Sequence, residues 1–284
     1  MRSFFLLLIS IVYETSLFLA VLFASPRQVT SVLSHLIPEL YATLSTPLRH
    51  LTILISLVHL LAAAYPSQIT FHQHLQSLSP SHLHPESESW TWINSLASSL
   101  RSLNYSKFEE LTRPSSLSRI LRGARENVAH EQKNSSKVVP TSTLESLESP
   151  HSSANLASRA LQTLVESLRS KAREKTWHVI RSAYRELACR PESGATRDWL
   201  ARSLALSSIV PTGKGIDVDE WLEMKSQEGQ VRKKEDAAEG MWIVCKARWR
   251  PLCIVAKCWW FHISHQLQSS NFSSTPDGRN ASWS

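Results

Sequence analysis

The stretch "LASRALQTLVESLRSKAREKTWHVIRSAYREL" (156–187) decides the fold. Leu156, Ala160, Leu164 and Leu168 recur at four-residue steps, with Leu161 and Val165 beside them. That spacing sets them on one helix face. Trp177, Ile180, Tyr184 and Leu187 form a second stripe. The intervening "RSKAREK" (169–175) reads as a joint between two helices or as one exposed turn. Two shorter patterns follow. "TRDWLARSLAL" (196–206), opened by Gly194 and a Ser193 or Thr196 cap, carries Trp199, Leu200, Leu204 and Leu206 towards a core. "GIDVDEWLEMKSQ" (215–227) offers Asp217 or Asp219 as a cap before Trp221 and Leu222. Then "GQVRKKEDAAEGMWIVCKA" (229–247) reads as two strands. Val231 begins the first, Glu235 to Gly240 turn, and Trp242, Ile243 and Val244 supply the aromatic and β-branched run. Helix, helix, helix and basic hairpin, over 155–248, is the plan of a winged helix.

Upstream, the pattern is that of successive helices, residues 1–122 forming a helical array. "PRQVTSVLSHLIPELYATL" (26–44) spaces Val29, Val32, Leu33, Leu36, Ile37 and Leu40 on one face. Pro26 suits a first-turn position, and Pro38 kinks the helix or ends it before Leu40. "PLRHLTILISLVHLLAAAY" (47–65) is apolar nearly all round, which places it centrally in a stack. "SQITFHQHLQSL" (67–78) is a weaker helix, and Pro80 and Pro85 break the connector after it. "ESWTWINSLASSLRSLNYSKFEELT" (88–112) aligns Trp92, Leu96, Leu100 and Leu103, turns at Asn104, and continues with Tyr105, Phe108 and Leu111. Paired helices of this length stack because neither buries its stripe alone. Residues 123–154 are polar, Ser-rich and broken by Pro140 and Pro150, the composition of a disordered insert. Residues 249–284 stay unassigned. The expected fold is mostly α: a helical-repeat array followed by a winged helix with a small β-hairpin.

The opening "FFLLLISIVYETSLFLAVLFA" (4–24) admits two readings. Its length spans a bilayer, and Arg2 before it and Ala24-Ser25 behind it resemble a signal peptide. Glu14, however, sits mid-helix, where an acidic group costs roughly 2.5–3.5 kcal/mol on insertion scales. A buried helix of the array is the favoured expectation, a targeting segment the alternative.

Composition narrows the function class. The chain holds 31 Lys and Arg against 24 Asp and Glu, a net charge of +7. Its first hundred residues carry three basic and four acidic side chains, so +8 of that charge lies beyond residue 100. That field suits nucleic acid or an acidic protein, or simply a solvated surface. Only 7 glycines argue against a β-rich fold. Cys189, Cys245, Cys253 and Cys258 match neither a zinc nor a redox CxxC spacing. No GxSxG, P-loop or HExxH motif is present. "PTGKG" (211–215) lacks P-loop spacing and reads as a loop. His72, His74, His82 and His84 form two HxH pairs, but without a neighbouring Cys or carboxylate they read as exposed loop histidines rather than metal ligands. The expectation is a protein without catalysis, metal, cofactor or small-molecule substrate.

The basic hairpin is the candidate binding surface. Arg232, Lys233 and Lys234 lie opposite Lys246 and Arg248, and Arg169, Lys171, Arg173 and Lys175 would extend the patch. Such groups neutralise phosphates without reading sequence, which suits RNA or single-stranded DNA. Asp219, Glu220 and Glu223 on the third helix would repel phosphates, which disfavours a sequence-specific DNA reader.

"LNYSKFEEL" (103–111), "AREKTWHVIRSAYREL" (172–187), "DWLARSLAL" (198–206) and the "EGQVRKKE…WIVCKA" ending together resemble the SAC-three/GANP conserved domain, a PCI-like family, over about residues 10–248. On that resemblance Asn104, Tyr105 and Phe108 pack within the array. Trp177, Tyr184 and Arg185 belong to the first winged-helix helix, and Trp199 and Leu200 to the second. The resemblance implies a nuclear scaffold in mRNA export or transcription-coupled assembly. A second PCI-type protein and a small acidic subunit would pack on the winged-helix end, and no membrane would be involved. The chain departs from the family pattern in the "SKFEEL" continuation, in the 123–154 insert and at both ends, which are expected to be imperfect gene boundaries.

Overall fold

The computed structural model describes residues 2–41, 46, 48–80, 82–135, 150–190, 194–210, 213–234 and 240–246. Residues Met1–Cys245 form one compact unit and Lys246–Ser284 a second. The fold is mostly helical. In the first unit α1 is Arg2–Leu22, α2 Pro26–His35, α3 Arg49–Ala64, α4 Ile69–Ser77, α5 Glu88–Arg101, α6 Tyr105–Thr112, α7 Pro114–Ser135 and α8 Pro150–Ala183. After β1 (Glu186–Ala188) come α9 (Gly194–Ser203), α10 (Val218–Gln227), β2 (Val231–Lys233) and β3 (Met241–Val244).

Local chemistry sets several of these boundaries. Pro26 occupies the first turn of α2, where its missing N–H breaks no bond. Pro38 falls in a π-helical turn, Leu36–Leu40, that extends α2 instead of breaking it. Ser87 caps α5 by accepting from the Trp90 amide (3.2 Å), and Asn104 caps α6 by accepting from the Lys107 amide (3.1 Å). Asp217 is the α10 cap, accepting from the Asp219 amide (3.1 Å). Thr196 lies within α9, and Ser193 falls outside the described residues. Three helices close on a left-handed residue that is not glycine: Ala24 (φ 51°), Leu103 (φ 56°) and Ala205 (φ 49°). In each case the next amide reaches back five residues, as Asn104 N–H does to Ser99 O at 2.9 Å. Leu103, expected on the buried α5 stripe, is consequently swung out and half-exposed.

Two apolar cores fill the unit. The first is aliphatic and centres on α3, whose residues Leu51 to Val58 are buried all round. It takes in Leu17 and Phe18 of α1, Trp92 and Ile93 of α5, and Ala157 to Ala172 of α8. The second gathers Trp177 and Ile180 of α8, Leu200 of α9, Trp221 and Leu222 of α10, and Leu187, Val231, Trp242 and Val244 of the strands. The sheet order is β1-β3-β2, antiparallel throughout, pairing Leu187 with Trp242 and Val231 with Val244. Gly240 leads into β3 at φ 88°, and a Cβ there would stand 2.6 Å from Cys189 O. Only glycine permits this approach to β1.

Three sequence expectations need correction. α8 is one continuous helix of 34 residues, without a joint at 169–175. Residues 123–135, expected within a disordered insert, continue α7, and α8 already begins at Pro150; 136–149 lie outside the described residues. Leu187 belongs to a third strand, because the helix stops at Ala183.

α1 carries an apolar window, Phe5–Leu22, long enough to cross a membrane, one third of it buried in the fold. Leu17, Phe18 and Val21 face the core, whereas Phe5, Leu8, Val12, Leu19 and Phe23 face outward. Glu14 is buried among them and accepts from the hydroxyls of Tyr41 and Thr46, each at 2.6 Å. Burial outweighs these bonds and raises its pKa.

Candidate interaction surface

The hairpin alternates as a strand must. Val231, Trp242 and Val244 point into the second core, and Arg232 stands exposed opposite Ile243. The two lysines beside it are engaged. Lys233 Nζ lies 3.0 Å from Glu223 of α10 and 5.3 Å from the Trp242 ring, and Lys234 Nζ lies 3.1 Å from Glu186 of β1. These are exposed pairs, each worth about 0–1 kcal/mol and weakened by salt, so an incoming phosphate can displace them. Arg232 has no ionic partner among the described residues. Lys246 is exposed and belongs to the second unit, and Arg248 lies outside the described residues.

Arg169 and Arg173 are buried and do not extend this patch, whereas Lys171 is exposed. Arg169 is 0% exposed. It donates to Thr112 Oγ1 (2.6 Å), Ala205 O (3.1 Å) and Ser207 O (2.6 Å). Arg173, 8% exposed, donates to Leu204 O (2.9 Å) and Ala205 O (2.8 Å). Both guanidinium groups thus satisfy carbonyls left open where α9 ends, and Glu166 lies 3.5–3.7 Å away as counter-charge. Lys171 Nζ donates to Ala62 O at the end of α3 (2.7 Å). The run "RSKAREK" is therefore a seam between the two cores. Only Lys175 of the four expected residues is free-standing and exposed.

Residues of the family-like motifs converge at that same seam. Phe108, Trp177 and Leu200 are buried. Asn104, Tyr105, Tyr184 and Trp199 line one groove of about 370 Å³ between α6, α8 and α9. Tyr184 is 45% exposed and meets Trp199 edge-on, with ring centroids 5.4 Å apart. Arg185 is exposed beside it. Sequence reasoning gave these residues packing roles; the open aromatic pair follows from the helix ending at Ala183, which releases Tyr184 from the buried stripe.

The histidines divide differently from their spacing. His72 and His74 lie on α4, not in a loop, and line two separate cavities. The Glu86 amide donates to His84 Nδ1 at 3.3 Å. Among the described residues no group of three or more His, Cys, Asp or Glu is arranged to hold a metal ion. Cys189 is a free, buried thiol whose pKa burial pushes up to about 11, and Cys245 is also free. Cys253 and Cys258 lie outside the described residues. No family model matches the chain, and no curated protein matches it.

Proposed function

We propose that the chain is a non-catalytic scaffold subunit of a nuclear PCI-type complex acting in mRNA export or transcription-coupled mRNP assembly. The observation that carries the reading is the order of elements after residue 150. A long helix, a short strand, two helices and a hairpin give sheet order β1-β3-β2. That order supports the winged-helix reading, with the long helix also contributing Ala157 to Ala172 to the larger core. The wing is the β2–β3 hairpin. A partner protein docks on the winged-helix end, and RNA or single-stranded DNA meets Arg232, Lys233 and Lys234. Asp219, Glu220 and Glu223 are exposed on α10, so the helix that would enter a DNA groove is acidic. This favours protein contact with peripheral phosphate contact over base reading.

Affinity purification of the tagged chain should recover a PCI-type partner and a small acidic protein in stoichiometric amounts, and a nuclear fluorescent signal. Recovery of neither protein removes the reading. Replacing Arg232, Lys233 and Lys234 together with Glu should abolish RNA retention on a gel. Retention equal to wild type would move the binding surface away from the wing.

The exposed apolar face of α1 favours a second reading, in which Phe5–Leu22 serves as a membrane or secretory segment. Protection of the first twenty-odd residues from protease in microsomes would establish it in place of the nuclear scaffold.

A further inference from the structure

A cavity of about 570 Å³ opens between α2, α3 and α4. That volume lies within the range of small-molecule sites. Leu33, Ile37 and Leu60 give it an aliphatic wall. Its polar groups are hydroxyls and imidazoles, and among the described residues neither a carboxylate nor a Lys or Arg side chain lines it.

The hydrogen bonds already made inside the fold determine what those polar groups have left to offer. A carbonyl oxygen can only accept, so a hydroxyl bonded to one has committed its proton. Thr30 donates to Pro26 O (3.0 Å), Ser34 to Ser31 O (2.7 Å), Ser56 to Ile53 O (2.8 Å) and Ser77 to His74 O (2.8 Å). All four hydroxyls keep only lone pairs for a ligand. Ser56 Oγ must then accept from His74 Nε2 at 3.3 Å, which puts the proton of His74 on that nitrogen and leaves Nδ1 an acceptor. His59 is 7% exposed and has no hydrogen-bond partner among the described residues. His82 Nδ1 is buried without a partner.

Burial lowers the pKa of His59, His74 and His82, and the neighbouring Lys171 (for His59) and Arg49 and His50 (for His82) lower it further. The imidazoles are held neutral, so each keeps a lone pair. The same three basic neighbours make the cavity unfavourable for a cationic ligand.

We propose that this cavity is a binding site for a neutral apolar alcohol, whose hydrocarbon part lies on the Leu33–Ile37–Leu60 wall and whose hydroxyl donates to the imidazole and hydroxyl lone pairs. A neutral imidazole carries one N–H and one lone pair, so an alcohol can both donate to it and accept from it, whereas a carboxylate can only accept and a hydrocarbon can do neither. A site built to receive a hydroxyl discriminates against the analogue that lacks one, because the buried nitrogens of His59 and His82 are then left unpaired.

The test is titration of the full chain with 2-naphthol, naphthalene and 2-naphthoate, followed by calorimetry and by the imidazole NMR signals. Naphthol should bind at least tenfold more tightly than either analogue and shift the signals of His59, His74 and His82 but not that of His178. Ser34→Trp and, independently, Ser77→Trp fill the space from opposite rims and should each weaken naphthol binding at least tenfold, with the circular dichroism spectrum unchanged in one or both. Equal binding of naphthol and naphthalene overturns the proposal. So does naphthol affinity unchanged by a folded Trp variant, which would place binding elsewhere, as on the exposed face of α1.

Discussion

The two cores solve the same burial problem with different residues. The array fills its interior mainly with Leu, Ile, Val and Ala, alongside Phe18, Tyr41, Phe71, Trp92 and Phe108, α3 being enclosed on every side. The C-terminal module has far fewer residues to contribute and relies on aromatic bulk. Trp177 and Trp221 meet edge-on with centroids 6.3 Å apart, and Trp242 lies in the same cluster. Arg173 and Lys225 lie 5.8 and 4.6 Å from the Trp221 ring. A small core thus becomes stable by burying large rings and sheltering them under cationic stems. The comparison teaches that neither core is independent. α8 supplies Ala157 to Ala172 to one and Trp177 and Ile180 to the other, with Arg169 and Arg173 at the crossing.

Breaking that crossing should have the largest effect. Arg169→Met leaves the carbonyls of Ala205 and Ser207 and the Thr112 hydroxyl without this donor, and Glu166 without one of its counter-charges. A loss of about 3–5 kcal/mol is expected. Hydrogen exchange should report it unevenly: relative to the wild type, amides of β3 should lose more protection than those of α3. Uniform loss of protection would mean that the cores do not part at the seam.

Gly240→Ala acts on the second core alone. Its Cβ would press on Cys189 O, and β3 must shift from β1. We expect about 2–4 kcal/mol of destabilisation. Exchange should accelerate in the strands and stay unchanged in α3.

Glu14 probes the array. Its pKa is raised in the fold above the ordinary 4.5, so the folded state favours the proton. The stability it provides is complete below pH 4.5 and is lost as pH rises through the folded value. Glu14→Gln keeps an acceptor for Tyr41 and Thr46 and removes the titration. The variant should be more stable than wild type at pH 7, with the difference closing near pH 4, as measured by urea denaturation at several pH values. A constant difference would show that burial of charge is not the cause.

The smallest effect belongs to Leu103. Glycine at its left-handed position relieves about 1 kcal/mol of strain, and the side chain is half-exposed. Leu103→Gly should raise the melting temperature by a few degrees.

What could be read in advance followed period and composition. α3 is apolar on all faces and is central; the β-branched run 242–244 is a strand; Asp217 caps α10. What could not be read depends on partners remote in sequence. "RSKAREK" looks like an exposed break because nothing local reveals that Ala205 and Ser207 supply carbonyls to Arg169. Glu186–Ala188 sits in phase with a helical stripe and becomes a strand because β3 is there to pair with it. His59 sits inside an apolar run with no polar neighbour in sequence, and only folding brings it to the same cavity as His74 and His82.

The shared helix also dictates an order of assembly on the ribosome. Ala157 to Ala172, and even Ile209, belong to the core that α1 and α3 begin. The helices of the first hundred residues also pack on one another, but that core is complete only once the nascent chain has emerged past residue 209. Until then the faces of α1 and α3 that meet α8 stay uncovered, the kind of transient apolar exposure that favours aggregation.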